Sequence, residues 1–394
     1  MSAARTRPLA LYVHWPWCES KCPYCDFNSH AAPPDGEAWR DALIREMETE
    51  ARQLDLSGRT LTSIFFGGGT PGLMSPVTTA AVIERAAHVF SFAPDIEITL
   101  EANPSSVERD RFRAFRAAGV NRVSLGVQSF DDDALAFLGR AHDGAEARTA
   151  IEAAADLFDR FSFDLIYARP NQTEAAWAAE LAVALGYGPR HLSLYQLTIE
   201  PGTRFAKDRI AGAGEDAAAD LYALTDAAMT DAGLLAYEIS NYAIPGEEAR
   251  HNVHVWRGGD YLGLGPGAHG RVFVPGGTGA VCSQPGHWEA HRRIPDPNRW
   301  IAEVANQGAG TAAREMLAAQ DRAEEIIMSA LRLREGLDEA ALETETGLAI
   351  DRVVDAHAFD WLISDGFLVR EDGCLRATAK GRLTLNAVTA KLLA

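Results

Sequence analysis

The stretch Trp17-Cys18-Glu19-Ser20-Lys21-Cys22-Pro23-Tyr24-Cys25-Asp26-Phe27 places three cysteines in a C-x3-C-x2-C spacing. An iron–sulfur cube has four irons and normally takes four thiolates. Three thiolates leave one iron without a protein ligand, and an open metal position is where chemistry takes place at catalytic metal sites. We therefore predict that Cys18, Cys22 and Cys25 bind a 4Fe–4S cluster whose fourth iron takes a ligand that is not protein.

Two other interpretations of the triplet remain open from its spacing. The thiolates could form a zinc site with a nearby histidine, either His14 or His30. They could also form disulfides, although the chain has only 5 cysteines and the other two, Cys282 and Cys374, are distant in sequence. No long apolar segment follows the first residues, so we expect no secretory signal. This cysteine usage favours a reducing cytoplasm.

The composition limits the classes of partner. A chain of 394 residues is long for one domain and suggests a large domain and a small one. The net charge of -18 repels phosphate backbones and anionic lipid, so we expect no nucleic-acid partner. No apolar run approaches the roughly 18–20 residues that span a bilayer, so we do not expect an integral membrane protein.

About the first two-thirds of the sequence alternates short β-rich runs with alanine-rich helical patterns, which is typical of repeated βα units. We predict an α/β fold in which six parallel βα units form a partial, open (β/α)6 version of the TIM barrel. The predicted strands are 9–14, 62–66, 96–100, 122–125, 161–165 and 191–195, and the predicted helices are 39–54, 77–90, 106–118 and 217–232.

Unusual residues follow almost every predicted strand. In βα barrels the functional residues collect at the carboxyl ends of the strands, so these segments are expected to surround one site. In the glycine-rich segment, the backbone can approach a ligand closely, and we expect its N–H donors to face that ligand. The segments are the cysteine loop, Gly67-Gly68-Gly69-Thr70-Pro71, Glu101-Ala102-Asn103-Pro104, Gly126-Val127-Gln128-Ser129, Asp164 and Tyr195-Gln196.

The rest of the chain has a different character. Residues 201–300 are rich in Gly, Pro and His, and 258–286 is predicted to be loop-like. From about Met316, three predicted helices (323–333, 338–346 and 350–365) and a hairpin (366–370 with 374–378) resemble a winged helix without a basic recognition face. We interpret it as a lid or interaction domain. The predicted domains are 1–240 (barrel), 241–315 (an extension) and 316–394 (the smaller helical, winged-helix-like domain).

The cysteine triplet and its flanks carry a family resemblance. Tyr12-Val13-His14-Trp15-Pro16-Trp17-Cys18 and Cys25-Asp26-Phe27-Asn28-Ser29-His30 resemble the oxygen-independent coproporphyrinogen oxidase-like group of the radical S-adenosylmethionine (SAM) superfamily. The resemblance implies a radical SAM barrel in which SAM chelates the fourth iron and the reduced cluster cleaves it to a 5′-deoxyadenosyl radical.

The same resemblance implies a set of SAM-binding residues. Tyr24 matches an aromatic residue against the adenine, and Arg140 is a plausible partner of the SAM carboxylate because a guanidinium matches a carboxylate at two points. For each position, ordinary packing or a surface salt bridge is the alternative. The implied residues are Tyr12, Tyr24, Phe27, Gly68, Gly69, Thr70, Glu101, Gln128, Arg140 and Asp164.

A second motif, His251-Asn252-Val253-His254-Val255-Trp256, resembles an H-N-x-x-Y-W run that is linked in the group to heme, with Val255 in place of tyrosine. Imidazole is a common axial ligand of heme iron. The resemblance therefore implies heme contacts at His251 first, with His254, Trp256 and His269 as further candidates. The alternative is that these histidines form only local hydrogen bonds.

Two departures from the oxidases of the group favour its heme chaperones. The oxidases usually carry a further cysteine where this chain has Phe27, and they usually have a longer segment before the motif. We therefore expect a protein that binds heme and transfers it to an acceptor protein, with respiratory proteins as the acceptors that the resemblance implies. SAM cleavage stays open, whereas coproporphyrinogen oxidation is the second hypothesis and is not expected. A plain iron–sulfur electron-transfer protein is the third, and it does not explain the barrel.

Overall fold

A computed structural model of the chain describes residues 7–31, 36–104, 108–276 and 286–394. Cys282 and the first residues of the predicted helix 106–118 lie outside the described residues. Within the described ranges no helix is long and apolar enough to cross a bilayer.

One large sheet organises the barrel and the extension that follows it. Its strand order is β14-β13-β12-β11-β1-β4-β5-β6-β7-β8-β10-β9. The strands of the chain are β1 (Leu9–Trp15), β2 (Trp17–Cys18), β3 (His30–Ala31), β4 (Thr60–Gly68), β5 (Ser91–Ala102), β6 (Arg122–Gln128), β7 (Arg160–Tyr167), β8 (His191–Gln196), β9 (Leu235–Ala236), β10 (Asn241–Ala243), β11 (Asp260–Leu264), β12 (His269–Val274), β13 (His287–Arg293), β14 (Thr311–Leu317), β15 (Leu337–Asp338), β16 (Leu368–Glu371) and β17 (Cys374–Ala377).

The six predicted strands are confirmed as β1, β4, β5, β6, β7 and β8, which pair in this order and in parallel. Helices connect them, as a parallel sheet requires. The helices are α1 (Gly36–Gln53), α2 (Pro76–Val89), α3 (Glu108–Ala117), α4 (Asp132–Phe137), α5 (Gly144–Leu157), α6 (Glu174–Gly186), α7 (Arg204–Lys207), α8 (Glu215–Asp231), α9 (Arg250–Trp256), α10 (Pro297–Gln307), α11 (Ala319–Ala330), α12 (Glu339–Thr346), α13 (Ala356–Ser364), α14 (Ala379–Leu383) and α15 (Leu385–Leu392), with 3-10 turns at Pro71–Leu73 and Ile350–Arg352.

Alternation along β1 assigns its two faces. Leu11, Val13 and Trp15 belong to the buried core that also contains Leu43 of α1, whereas the ring of Tyr12 contacts the ring of Phe65 on β4. Successive side chains of a strand point to opposite faces. Because burying each large apolar side chain contributes about 1.5–3 kcal/mol, these residues fix which face of β1 packs against α1 and which faces the barrel interior.

The extension continues the open edge of the barrel. β11 pairs in parallel with β1, and β12, β13 and β14 follow as antiparallel strands. The prediction that 258–286 is loop-like was therefore wrong for residues 258–276, which contain β11 and β12, whereas residues 277–285 lie outside the described residues. Two glycines of the segment 258–276 allow close packing: a Cβ on Gly263 would collide with the carbonyl of His269, and one on Gly265 with the carbonyl of His14.

The C-terminal part has a separate buried core, with Ile327, Leu342, Leu362 and Leu375 among its members. Three helices and the β16–β17 hairpin follow one another as predicted, in a winged-helix-like order. The predicted helix 350–365 is interrupted, because Asp355 caps α13 by accepting a hydrogen bond from the Ala358 N–H. The helices α14 and α15 were not predicted.

Candidate metal and cofactor site

The cysteine loop lies between β2 and β3, at the carboxyl end of the barrel strands. The two short strands pair in parallel and close the loop at its base. Inside the loop, the Cys25 N–H donates to the Cys22 carbonyl at 3.1 Å. All three thiols line one cavity of about 310 Å³.

Each thiol has a hydrogen-bonding partner beside the cavity. The Thr70 hydroxyl donates to Cys18 Sγ at 3.4 Å, and Arg140 Nη1 donates to Cys22 Sγ at 3.3 Å. Cys25 Sγ lies 3.7 Å from the hydroxyl of Ser29. Burial raises the pKa of the Cys18 thiol, and the neighbouring cysteines add to the rise. Donors aimed at sulfur stabilise thiolates and are the usual surroundings of iron–sulfur ligands.

The two alternatives for the triplet find no support in the geometry. Cys18, Cys22 and Cys25 are free thiols. His14 Nε2 lies 2.9 Å from the Asn28 carbonyl oxygen, and His30 Nε2 lies 3.2 Å from Asn28 Oδ1, so both histidines are engaged elsewhere. In the described part of the chain, no three Cys, His, Asp or Glu side chains form a site for a single metal ion. Three free thiols around one cavity are a donor set that a 4Fe–4S cluster would fit.

The glycine-rich segment after β4 borders the cavity, but its donors do not face a ligand as expected. The Gly69 N–H donates to the Trp15 carbonyl at 2.7 Å, and the Thr70 N–H donates to the Trp17 carbonyl at 2.9 Å. A Cβ on Gly69 would lie 2.8 Å from the Trp17 oxygen. Glycine is needed here because two backbone segments touch, and this contact holds the Thr70 hydroxyl against Cys18.

Two carboxyl groups lie deeper in the cavity. Burial raises the pKa of Glu101 to about 8, and the Asp164 charge adds to this rise, whereas the hydrogen bond from the Gly68 N–H at 3.2 Å opposes it. Burial also raises the pKa of Asp164 to about 6, against hydrogen bonds from Ser193 and Ser124. Two desolvated carboxyls in one cavity favour a cationic ligand or one rich in hydroxyl donors, and SAM has both properties.

Unpaired polar atoms lie in the cavity wall that includes Arg140, beside Cys22. Gln128 has a φ of 70°, a left-handed conformation that is uncommon outside glycine. Its buried Oε1 and the buried Nε of Arg140 have no hydrogen-bond partner. Arg140 is held in place by Nη2, which donates to Asn103 Oδ1 at 2.6 Å and to the Gly126 carbonyl at 2.8 Å. Unsatisfied buried atoms are rare in proteins, so they support a polar ligand in this cavity.

The aromatic candidates divide into two groups. Tyr24 and Phe27 line the cavity, and Phe27 is 59% exposed at its rim. Tyr12 does not line it. The Tyr12 hydroxyl lies 3.1 Å from His14 Nδ1, and burial raises the pKa of Tyr12, so this side chain belongs to the barrel interior beneath the cavity.

The cavity thus brings together the three cysteines and every implied SAM residue except Tyr12. It also contains residues that the sequence did not single out as ligands, notably Asn103, Ser124 and Ile166. Asn103 had a signal, since it follows Glu101 directly after a strand. The cavity is lined by Cys18, Cys22, Tyr24, Cys25, Phe27, Gly68, Gly69, Thr70, Glu101, Asn103, Gln128, Arg140, Asp164 and Tyr195, among others.

The second motif lies elsewhere, on α9. His251 is only 7% exposed, its Nδ1 lies 3.0 Å from the Ser63 hydroxyl, and its backbone N–H donates to Glu97 Oε1 at 3.3 Å. Ser63 and Glu97 lie towards the amino ends of β4 and β5, so His251 closes the floor of the barrel. Burial lowers the pKa of His251 to about 3, with contributions from His254 and Arg122, so the ring is neutral.

His254 lies at a second cavity, not beside the cysteines. His254 lines a cavity of about 950 Å³ between the floor of the barrel and the C-terminal part, and its Nε2 lies 2.7 Å from the Asp260 carbonyl oxygen. The Arg332 guanidinium covers the ring of Trp256 at 4.6 Å from the ring centroid. His269, on β12, is exposed. His251, His254 and Trp256 therefore do not converge on one point.

A partial βα barrel with three free thiols at the carboxyl ends of its strands is the architecture of a radical SAM protein. The Radical SAM superfamily model matches residues 12–182, and the HemN C-terminal domain model matches residues 317–384. The solved structure of coproporphyrinogen III oxidase (HemN) from Escherichia coli has the same fold, with a TM-score of 0.81, 24% identity, and coverage of 99% of this chain and 91% of that one.

Curated relatives identify the family within this superfamily. The chain is 37% identical to the heme chaperone HemW of Haemophilus influenzae over 96% of each chain, and 37% identical to that of Escherichia coli K12 over 98% of each. It is 40% identical to the mouse mitochondrial radical S-adenosyl methionine domain-containing protein 1, over 99% of this chain and 88% of the relative. The chain belongs to the HemW family.

Proposed function

We propose that this protein is a heme chaperone, which binds heme and transfers it to an acceptor protein on a scaffold that also holds a 4Fe–4S cluster and SAM. The observation that carries the proposal is the similarity to curated heme chaperones along nearly the whole chain. As the heme acceptor we propose a membrane-associated respiratory protein. We propose a cytoplasmic location for the chaperone itself, because the free thiols of the cysteine loop fit a reducing compartment.

Cys18, Cys22 and Cys25 would hold the cluster, and the cavity beside them would hold SAM. When bound and reduced, the cluster supplies an electron that can cleave the sulfonium of SAM. Arg140, Glu101 and Gln128 bind and orient the nucleotide: the unpaired Nε of Arg140 and Oε1 of Gln128 offer a donor and an acceptor, and the Glu101 carboxyl accepts from hydroxyl or amino groups. Tyr24 excludes water from one wall.

For heme, we propose the cavity of about 950 Å³ beside α9. Its size is within the range of small-molecule pockets, roughly 300–1,000 Å³. His254 is the residue of the motif that lines it, and the contact of its Nε2 with the Asp260 carbonyl orients the ring as the partners of metal-binding histidines do. Arginines on the cavity wall, Arg250 and Arg334 among them, complement the carboxylates of heme.

One observation favours a second candidate, coproporphyrinogen III oxidation. Phe27 and Tyr195 are 59% and 41% exposed at the mouth of the cysteine cavity, where a flat tetrapyrrole could stack on them. The reconstituted protein should therefore be given heme and coproporphyrinogen III in separate experiments. Tight heme binding with no decarboxylated product supports the chaperone. Decarboxylated coproporphyrinogen formed in a SAM-dependent reaction, without heme binding, would overturn the chaperone proposal.

A further inference from the structure

Asn28 connects the cysteine loop to the extension. Its Nδ2 donates to the Pro266 carbonyl at 2.9 Å and to the Pro295 carbonyl at 2.8 Å. Its Oδ1 lies 3.2 Å from His30 Nε2, and its backbone oxygen lies 2.9 Å from His14 Nε2. A side-chain amide has two N–H donors, and here each one has a carbonyl partner more than 230 positions away.

The acceptor side of this contact is held rigidly. Both carbonyls belong to prolines, whose φ is fixed by the ring. The Gly267 N–H donates to the Ile294 carbonyl at 3.1 Å, which ties the two acceptor segments to each other. The preceding Gly265 N–H donates at 2.8 Å to Glu46, a fully buried carboxylate of α1. The two carbonyls are thus fixed to the body of the barrel.

The contact leaves no room for adjustment. Gly267 has a φ of +79°, and a Cβ there would lie 2.6 Å from Asn28 Nδ2. The conformation of Gly267 and the position of the Asn28 amide therefore depend on each other. This gives a role to Gly267, which lines neither the cysteine cavity nor the cavity proposed for heme.

We propose that Asn28 is a positioning residue, which fixes the part of the loop that carries Cys25 against the Pro266 and Pro295 carbonyls, so that the extension sets the orientation of the third thiolate. The proposal rests on the proposed cluster site. Asn28 acts through the loop backbone, where the Ser29 N–H donates to the Phe27 carbonyl at 2.7 Å and the Ser29 hydroxyl lies 3.7 Å from Cys25 Sγ.

The test replaces the two donors while keeping the shape of the side chain. Asn28→Asp removes both N–H groups and places a carboxylate against two carbonyl oxygens. After anaerobic reconstitution we expect iron content within twofold of the unsubstituted protein, SAM affinity at least tenfold weaker, and a smaller SAM-induced change in the electron paramagnetic resonance spectrum of the reduced cluster. Unchanged SAM affinity and an unchanged spectrum would overturn the proposal.

Two further variants keep the test decisive. Gly267→Ala leaves Asn28 in place but pushes on its amide from the other side, so it should give the same spectral change. His30→Ala keeps both Nδ2 bonds and should change SAM affinity less than twofold. Hydrogen–deuterium exchange of the cluster-free protein tests the contact independently of the proposed function, since it needs no loaded cluster. In Asn28→Asp the Ser29 and His30 amides should exchange at least tenfold faster than in the unsubstituted protein. The amides of α13 should exchange at an unchanged rate. Equal exchange rates would refute the contact.

Discussion

The two ends of the barrel use polar residues in different ways. At the carboxyl end, Gln128 Oε1 and Arg140 Nε are buried without partners, and the pKa of Glu101 is raised to about 8. At the amino end, Glu97 accepts from the His251 backbone N–H and pairs with Arg160 at 2.7 Å. Buried polar atoms without a partner are rare, so in a cavity they support a ligand, whereas fully paired groups support the fold. We therefore interpret the unpaired atoms at the carboxyl end as part of a binding site and His251 as a structural residue of the barrel floor.

The largest expected effect tests the carboxyl end. Cys22→Ala removes a thiolate that Arg140 contacts, and an incomplete ligand set should bind less than a tenth of the iron of the unsubstituted protein. The circular dichroism spectrum should stay unchanged, since Cys22 lies outside the core. Cys374→Ala, in the C-terminal hairpin, is the matched control and should keep its iron. A full cluster in Cys22→Ala would refute the ligand assignment.

The next effect separates the two histidines of the second motif. We expect His254→Ala to weaken heme binding at least tenfold, because His254 lines the large cavity. His251→Ala should keep heme affinity within threefold but lower the free energy of unfolding by about 2 kcal/mol, since it removes a buried ring and its Ser63 contact. Heme titration and urea unfolding of both variants measure this. The reverse pattern would make His251 the heme residue.

A third prediction concerns pH at the carboxyl end. With a pKa of about 8, Glu101 is mostly neutral at pH 7 and mostly ionised at pH 9. Because the sulfonium of SAM keeps its positive charge at every pH, ionisation of Glu101 should raise SAM affinity up to about tenfold between these pH values, and Glu101→Gln should abolish the rise. The folded protein favours the protonated form of Glu101. The contribution of this group to the free energy of unfolding is therefore present below its unfolded pKa of 4.5 and is lost as the pH rises through 8. Calorimetric SAM titration at three pH values measures the affinity, and a flat profile in the unsubstituted protein would contradict the prediction.

The smallest effect concerns α9. Asn252 Nδ2 donates to the Tyr237 hydroxyl at 3.3 Å, a single hydrogen bond at the amino end. Asn252→Ala should lower the free energy of unfolding by about 1 kcal/mol and leave iron content and SAM affinity unchanged. A loss of SAM affinity in this variant would show that the two ends are coupled and would weaken the contrast between them.

The sequence was a good guide where the signal is local. The strand that ends before Cys18, and the polar residues Glu101 and Gln128 at later strand ends, follow from alternation and from the geometry of βα units, and the structure brings them together at one cavity as expected. The helix α5 was missed although Asp143 and Glu146 form a capping box at its start, a signal that is visible in the sequence.

Contacts between distant parts of the sequence determine the features that were not predicted. Gly263 and Gly265 predict a loop by composition, yet they lie in or beside β11 because a strand from the start of the chain packs against them. The N–H groups of Gly69 and Thr70 were expected to face a ligand, but they are taken by carbonyls of Trp15 and Trp17. That His251 faces Ser63 and Glu97 depends on where α9 packs, which a motif does not encode.

The pairing of β1 with β11 has a consequence for the order of events during synthesis. Leu9 lies opposite Asp260, and the Asn28 amide donates to carbonyls at positions 266 and 295, which are synthesised much later than the cysteine loop. A nascent chain leaving the ribosome therefore exposes its cysteines long before their surroundings exist. A truncated chain that ends before residue 260 would lack β11 and both carbonyl partners of the Asn28 amide, so its cysteine loop would have no support from the extension.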